Sequence, residues 1–186
     1  MKEYQIIYAD PPWTYKVWSV HGNKRSACQH YHTMTKEELQ KFPIQNILAK
    51  NSVLLMWVTA PCLQEGLELI KNWGFIYKTI GFTWIKRNRK SDSLFWGMGY
   101  YTRANTELCL LATKGKPLKR VSRSVHQVVV SPIREHSRKP DEVRSRITKV
   151  FGDLPRIELF ARQKTKGWDV FGNEVKSDIS LNLNER

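Results

Sequence analysis

Tyr4-Gln5-Ile6-Ile7-Tyr8-Ala9-Asp10-Pro11-Pro12-Trp13 is an apolar run that ends abruptly in an acid, two prolines and an indole. Residues 4–9 have the length and composition of a strand buried on both faces. Pro11 lacks a backbone N–H and fixes its own φ, so the chain stiffens where Asp10 leaves the strand. The Asp10 carboxylate and the carbonyls beside it accept hydrogen bonds, and Trp13 offers a flat ring for stacking. Acceptors beside an aromatic ring suit a planar base that carries an exocyclic amine.

Outward from this stretch, strand-like and helix-like segments alternate. Thr35 and Glu38 read as a capping box, and Leu39, Phe42, Ile47 and Leu48 as the core stripe of a helix near 35–49. Further helices are expected from Pro61 to about Trp73, ended by Gly74, and from Pro140 to about Phe151, with Asp141 and Glu142 in the first turn. Strands are expected over 52–58, across 75–86 (one or two), and over 107–113, 125–130, 156–161 and 168–171. Such alternation implies an α/β fold, a mostly parallel sheet with helices on both faces. Ligands of these sheets collect beyond the carboxyl ends of strands, where Asp10 lies. Residues 1–176 read as a single domain and the polar residues 177–186 as a frayed tail.

Two stretches lack any period. Trp13 to Thr33 is too long for an ordinary connection and reads as a functional loop. Residues 87–104 hold Arg87, Arg89, Trp96, Gly97, Gly99, Tyr100, Tyr101 and Arg103, a basic and aromatic mixture on which bases and phosphates could rest.

The 186 residues carry a formal net charge of +14, which favours a polyanionic partner. Lys86 to Lys90 form one basic cluster, and Lys114, Lys116, Lys119, Arg120 and Arg123 a second; both read as turns able to meet phosphates. A third cluster, from Arg134 to Lys149, includes the wet face of a helix. Cys28, Cys62 and Cys109 have no Cys-x-x-Cys spacing, and His30-x-His32 supplies too few ligands for a metal. The longest apolar run, Val53 to Val58, is too short to span a bilayer, so a cytoplasmic protein with neither metal nor membrane partner is expected.

The amine suggested by Asp10 explains the residue types around it. The nitrogen lone pair of an adenine or cytosine amine is delocalised into the ring, which makes it a poor nucleophile. Hydrogen bonds from its two N–H groups, to the Asp10 carboxylate and the Pro11 carbonyl, favour a pyramidal nitrogen with a localised pair. Trp13 would hold the base in line, and a methyl sulfonium is a donor that needs no protein nucleophile.

Asp10-Pro11-Pro12-Trp13 resembles the catalytic motif of amino-methyltransferases. With Tyr31-His32-Thr33-Met34, Leu54 to Thr59, Ser137 to Glu142, Arg156 to Arg162 and Gly172-Asn173 in the same order, the chain resembles the MT-A70 family of N6-adenine methyltransferases. The resemblance implies a Rossmann-like methyltransferase fold, permuted so that the catalytic motif precedes the cofactor-binding part. It implies S-adenosyl-L-methionine as cofactor and Asp10, Pro11, Pro12 and Trp13 as the catalytic motif. Cofactor contacts are expected at Asp10, Glu158, Phe160, Arg162 and Asn173, with Lys139 at the junction of cofactor and base. Glu158 has a reason of its own, since an unpaired acid in a strand core is costly and a ribose diol would satisfy it. For the base, Tyr31 is expected to pack, Glu107 to bond the base edge, and Arg103, Arg87 and Arg89 to meet phosphates.

The expected function is transfer of a methyl group to the N6 amine of adenine in nucleic acid, DNA preferred, with RNA as the alternative polymer. A non-catalytic partner subunit remains a different class, and cytosine-N4 or glutamine-amide transfer shares the chemistry, although those relatives usually carry Ser or Asn where this chain has Asp10. Self-association is left open: pairing within the family suggests a homodimer closed through the long aromatic loop, and the alternative is that this loop simply holds DNA. Two departures stand out: the family's strand and acid ahead of the motif, which help hold the cofactor adenine, are expected to be missing or replaced, and Gln163 to Lys166 differ from the usual polar pair.

Overall fold

β1 (Tyr4–Ala9) forms where its apolar run predicts, as an interior strand of a seven-stranded sheet. The computed structural model describes residues 2–14, 33–135 and 137–181. After β1 come α1 (Lys36–Gln40), β2 (Leu48–Val58), α2 (Leu63–Asn72), β3 (Ile76–Arg87), β4 (Glu107–Lys114), β5 (Val128–Pro132), α3 (Glu142–Phe151), β6 (Arg156–Leu159) and β7 (Asp169–Phe171). The strands lie in the order β5-β3-β4-β2-β1-β6-β7. β1 runs parallel to β2 and β6, β6 to β7, and β3 to β5. Only β4 is reversed, pairing antiparallel with β2 and β3.

This topology decides where chemistry can gather. β1 has β2 on one side and β6 on the other, so Asp10 leaves the sheet at a switch point, the crevice position of an open α/β sheet. The reversal of β4 brings its first residue, Glu107, to the edge where the parallel strands end.

Alternation along β1 sends Ile7 and Ala9 to one face, and Ile6 and Tyr8 to the other. The first face packs with Leu54 and Met56 against Leu39 of α1 and Leu69 and Ile70 of α2. The second packs with Leu55 and Trp57 against Val143 and Ile147 of α3. Helices therefore cover both faces, as the alternation predicts.

Several boundaries differ from expectation. Thr35 and Glu38 do form the capping box, with bonds of 3.2 and 2.7 Å, but α1 stops at Gln40. Pro43 cannot donate to the preceding turn, and the chain resumes as a 3-10 turn over Ile44–Ile47. The segment 75–86 is one twelve-residue strand with two bulges. β6 ends at Leu159 because Phe160 takes a left-handed φ of 59°. Lys86 and Arg87 belong to β3 rather than to a turn. The expected fraying from residue 177 is corrected up to residue 181: Asp178 accepts from the Val170 N–H at 3.1 Å and Leu181 is buried in the core. Most of the Trp13–Thr33 stretch, and residues 182–186, lie outside the described residues. Among the described residues, Cys62 and Cys109 are buried and not joined in a disulfide, and no helix is long and apolar enough to cross a membrane.

α3 is tied to the sheet by charge as well as by Val143 and Ile147. Arg144 donates from Nε and Nη2 to the two carboxylate oxygens of Glu158 on β6, at 2.7 and 2.6 Å, and both side chains are buried. Removing one partner strands a buried charge. We expect Arg144→Ala to cost about 3–5 kcal/mol in urea unfolding, with Arg144→Met/Glu158→Leu recovering most of it. A single-variant loss no larger than that of an exposed pair would contradict this reading.

Candidate active site

Asp10 stands just past β1 with its backbone pinned on both sides. The Pro11 carbonyl accepts from the Trp13 N–H and the Pro12 carbonyl from the Met34 N–H, each at 2.9 Å. Trp13 is only 8% exposed and its Nε1 donates to the Trp57 carbonyl at 3.1 Å. The indole is thus a fixed wall rather than the open slab that sequence suggests.

An alternating row of charges runs from the motif. Lys139 Nζ donates to Asp10 Oδ2 at 2.8 Å and to the Ser137 carbonyl at 3.1 Å, and lies 3.3 Å from Glu107 Oε2. Glu107 Oε1 in turn accepts from Lys86 Nζ at 2.5 Å. Burial pushes the Asp10 carboxyl above its ordinary value of 3.8, and the Lys139 ammonium opposes that rise only in part. Burial also acts to raise Glu107, but Lys139 and Lys86 together outweigh it and hold the carboxyl low. Glu107 therefore stays ionised, with Lys86 on one carboxylate oxygen and Lys139 3.3 Å from the other.

Two cavities meet at Asp10, Pro11 and Ser137. The first, about 460 Å³, is walled by Trp13, Trp57, Trp84 and Phe95 and carries Glu107 and Lys139. The second, about 610 Å³, is walled by Pro12, Phe42, Phe160 and Phe171, with Glu38, Lys41, Arg162, Asn173 and Glu174 as further polar groups. Both have the size and mixed lining of small-molecule sites. Ser137 and Phe160, at this junction and in the second cavity, are the two described non-glycine residues with positive φ, at 62° and 59°. Strained backbone of this kind persists only where the surroundings fix it.

The sequence-derived candidates are distributed as follows. Asp10, Pro11 and Trp13 wall the first cavity with Glu107, Lys139 and Arg89, whereas Asp10, Pro11, Pro12, Phe160, Arg162 and Asn173 wall the second. Arg162 is also paired with Glu174 at 3.0 Å. The premise for Glu158 is corrected: its carboxylate is satisfied by Arg144, and it faces a smaller third cavity of about 190 Å³ instead of the second. Arg87 pairs with Asp92, Arg89 donates to the Arg134 carbonyl, and Arg103 donates to Met98 Sδ at 3.0 Å. Neither Arg87 nor Arg103 is among the walls of the first cavity. Tyr31 lies outside the described residues. Sequence reading missed Trp57, Trp84, Phe42 and Ser137. The first three looked like ordinary core residues. It also left Arg134 and Arg138 unassigned within a mixed basic cluster, whereas both border the first cavity.

A crevice at the switch point of a mostly parallel sheet, with helices on both faces, defines the class: a Rossmann-like α/β fold. The chain belongs to the MT-A70 family, which it matches over residues 4–174. It is 39% identical over 190 residues to the type II methyltransferase M.MunI of Mycoplasma sp, covering 94% of this chain and 78% of that protein. It is 29% identical over 182 residues to the N(6)-adenosine-methyltransferase MT-A70-like of Arabidopsis thaliana, covering 95% of this chain and 24% of that protein. For the human N(6)-adenosine-methyltransferase catalytic subunit METTL3 the figures are 27% over 176 residues, 93% and 28%. The chain thus spans most of the Mycoplasma protein but about a quarter of the other two.

A raised Asp10 pKa means that the neutral acid forms at a pH where a free aspartate is still ionised. We expect a carbon-detected NMR titration to place the Asp10 midpoint above 3.8, and Lys139→Met to move it further up because the opposing cation is gone. A midpoint that falls in the variant would refute the assignment.

Proposed function

We propose that this methyltransferase transfers a methyl group from S-adenosylmethionine to the N6 amine of adenine in nucleic acid, DNA in the first place. The supporting observation is that Asp10 and Pro11 line both of two adjoining cavities. A base in the first cavity and a cofactor in the second would meet at these two residues.

The second cavity fits the cofactor by the chemistry of its donors. Phe42, Phe160 and Phe171 cluster with ring centroids 5.1 and 5.7 Å from Phe42, an apolar surface for a nucleobase. Arg162 and Asn173 add a guanidinium fork and an amide for carboxylate and hydroxyl groups. When bound, the cofactor supplies a methyl group on a positively charged sulfur, open to attack by a lone pair. With Lys139 on Oδ2, the other Asp10 oxygen accepts a hydrogen bond from one amine N–H and the Pro11 carbonyl from the second; methyl transfer would release the cofactor as a neutral thioether, and the methylated nitrogen then loses one proton. Both acceptors gain strength as positive charge develops on the nitrogen, which is where their contribution to rate lies. The Trp13 wall fixes the plane of the ring, and ionised Glu107, on the wall of the first cavity, offers a carboxylate to a donor on the base edge. A base inside a duplex cannot reach this depth, so the adenine is flipped out or single-stranded.

The DNA preference rests on the greater identity to the Mycoplasma type II methyltransferase and the larger share of it that is covered. The similarity to METTL3 keeps RNA as the second reading. Both polymers are supplied with labelled cofactor and the product is digested to nucleosides for mass spectrometry. N6-methyldeoxyadenosine is the expected product; methylation confined to ribonucleosides would reverse the preference, and an unmodified adenine in both would end the proposal.

Asp10→Ala is expected to lower kcat by at least about a hundred-fold, because it removes a transition-state acceptor, with little change in cofactor Kd by calorimetry. Equal damage to both would give Asp10 a cofactor role instead. With a net charge of +14, binding of the chain to oligonucleotides is expected to fall steeply as salt rises. A flat log–log plot would remove phosphate contacts from the account.

A further inference from the structure

The connection between β3 and β4 leaves the first cavity as an anchored hairpin. Phe95, one of the cavity walls, donates its N–H to the Lys86 carbonyl at 2.9 Å. Gly97 and Ala104 exchange backbone hydrogen bonds of 2.7 and 3.2 Å. The Asn105 side chain bonds both the N–H and the carbonyl of Lys86 at 2.9 Å, and also the Phe95 carbonyl. At the tip, a Cβ on Gly99 would meet the Thr102 carbonyl oxygen at 2.1 Å, so the turn closes tightly on glycine.

This well-held hairpin presents apolar groups to solvent. Trp96 is 58% exposed, Met98 81%, Tyr100 74% and Tyr101 93%, with the two tyrosine rings edge to face. Four large apolar side chains projecting together from one turn are an unusual surface for a chain by itself. Arg89, Lys90 and Arg103 lie in the same connection, and Arg87 ends β3 just ahead of it.

We propose that the 95–105 hairpin is a wedge that enters a DNA duplex beside the target adenine and fills the gap the flipped base leaves. This inference rests on the proposed adenine methyl transfer. Extrusion breaks stacking on both sides of the base, and an aromatic insert restores part of it. The hydrogen bonds at the hairpin's root mean that little ordering is lost on insertion. Continuity through Phe95 puts the wedge next to the cavity that receives the base. Charge selects the occupant: a surface belonging to a chain of +14 attracts DNA phosphates and repels a second copy of itself.

The test compares Tyr100→Ala/Tyr101→Ala with the unaltered chain on duplex and single-stranded oligonucleotides of one sequence. The expected result is a fall in kcat/KM on the duplex exceeding that on the single strand by at least about ten-fold, the scale of one or two lost base–aromatic stacks. Placing a mismatch opposite the target adenine should narrow the defect, since that base leaves the stack more easily. Tyr100→Phe/Tyr101→Phe should keep duplex activity, and Gly99→Ala, which deforms the turn with the rings intact, should lose it. Equal losses on both substrates would overturn the wedge. So would a dimer, seen by sedimentation, that the alanine pair dissolves, because the tip would then belong to a second copy. Failure of the unaltered chain on both DNA and RNA would sink the methyl-transfer reading itself and the wedge with it.

Discussion

The contact between the Lys139 ammonium and the Asp10 carboxylate is the interaction on which the site depends. It joins the end of β1 to the segment that follows β5, two places separated by 129 residues of sequence. Without a cation there, Asp10 and Glu107 would be two buried acids around one cavity, and mutual repulsion with desolvation would drive at least one of them neutral. Lys139 resolves that conflict unevenly. Glu107 has a second cation in Lys86 and is held low, whereas Asp10 shares one and remains raised. Two carboxylates of similar type thereby become different tools: one held more acidic as a charged acceptor, and one whose proton affinity is poised higher.

The same sheet edge gathers every element of this arrangement. β1 contributes the motif, β3 Lys86, β6 Phe160 and β7 the Gly172–Asn173 turn, all at their carboxyl ends. Glu107 joins them only because β4 runs the other way. Close approach is enforced elsewhere too: a Cβ at Gly172 would lie 2.1 Å from the Ala161 carbonyl oxygen, so the turns after β6 and β7 pack backbone on backbone beneath the second cavity.

Much of this was legible in the amino-acid order. β1, the parallel sheet, helices on both faces and the place of Asp10 follow from an apolar run cut short by Pro11 and from alternating periods. The single reversed strand was not, because Glu107 to Lys114 has the same apolar pattern whichever way it runs. Glu158 shows the opposite limit. Its cost as a buried acid was read correctly, but the partner, Arg144, was hidden among the charges of a basic helix. Its spacing was the available signal: Arg144 sits one residue after Val143 and three before Ile147, on the side of α3 that packs against the sheet. The walls of the first cavity were opaque for a related reason, since Trp57 and Trp84 are indistinguishable from core residues until the strand ends are placed in space.

The chain enters β1 at the rim opposite the reacting groups. Six strand residues at about 3.3 Å each put Tyr4 roughly 20 Å from Asp10. Polypeptide joined ahead of Tyr4 accordingly emerges on the far side of the sheet, leaving both cavities and the hairpin unobstructed. An affinity handle, a fluorophore or a sequence-addressing module can be attached there without touching the catalytic edge.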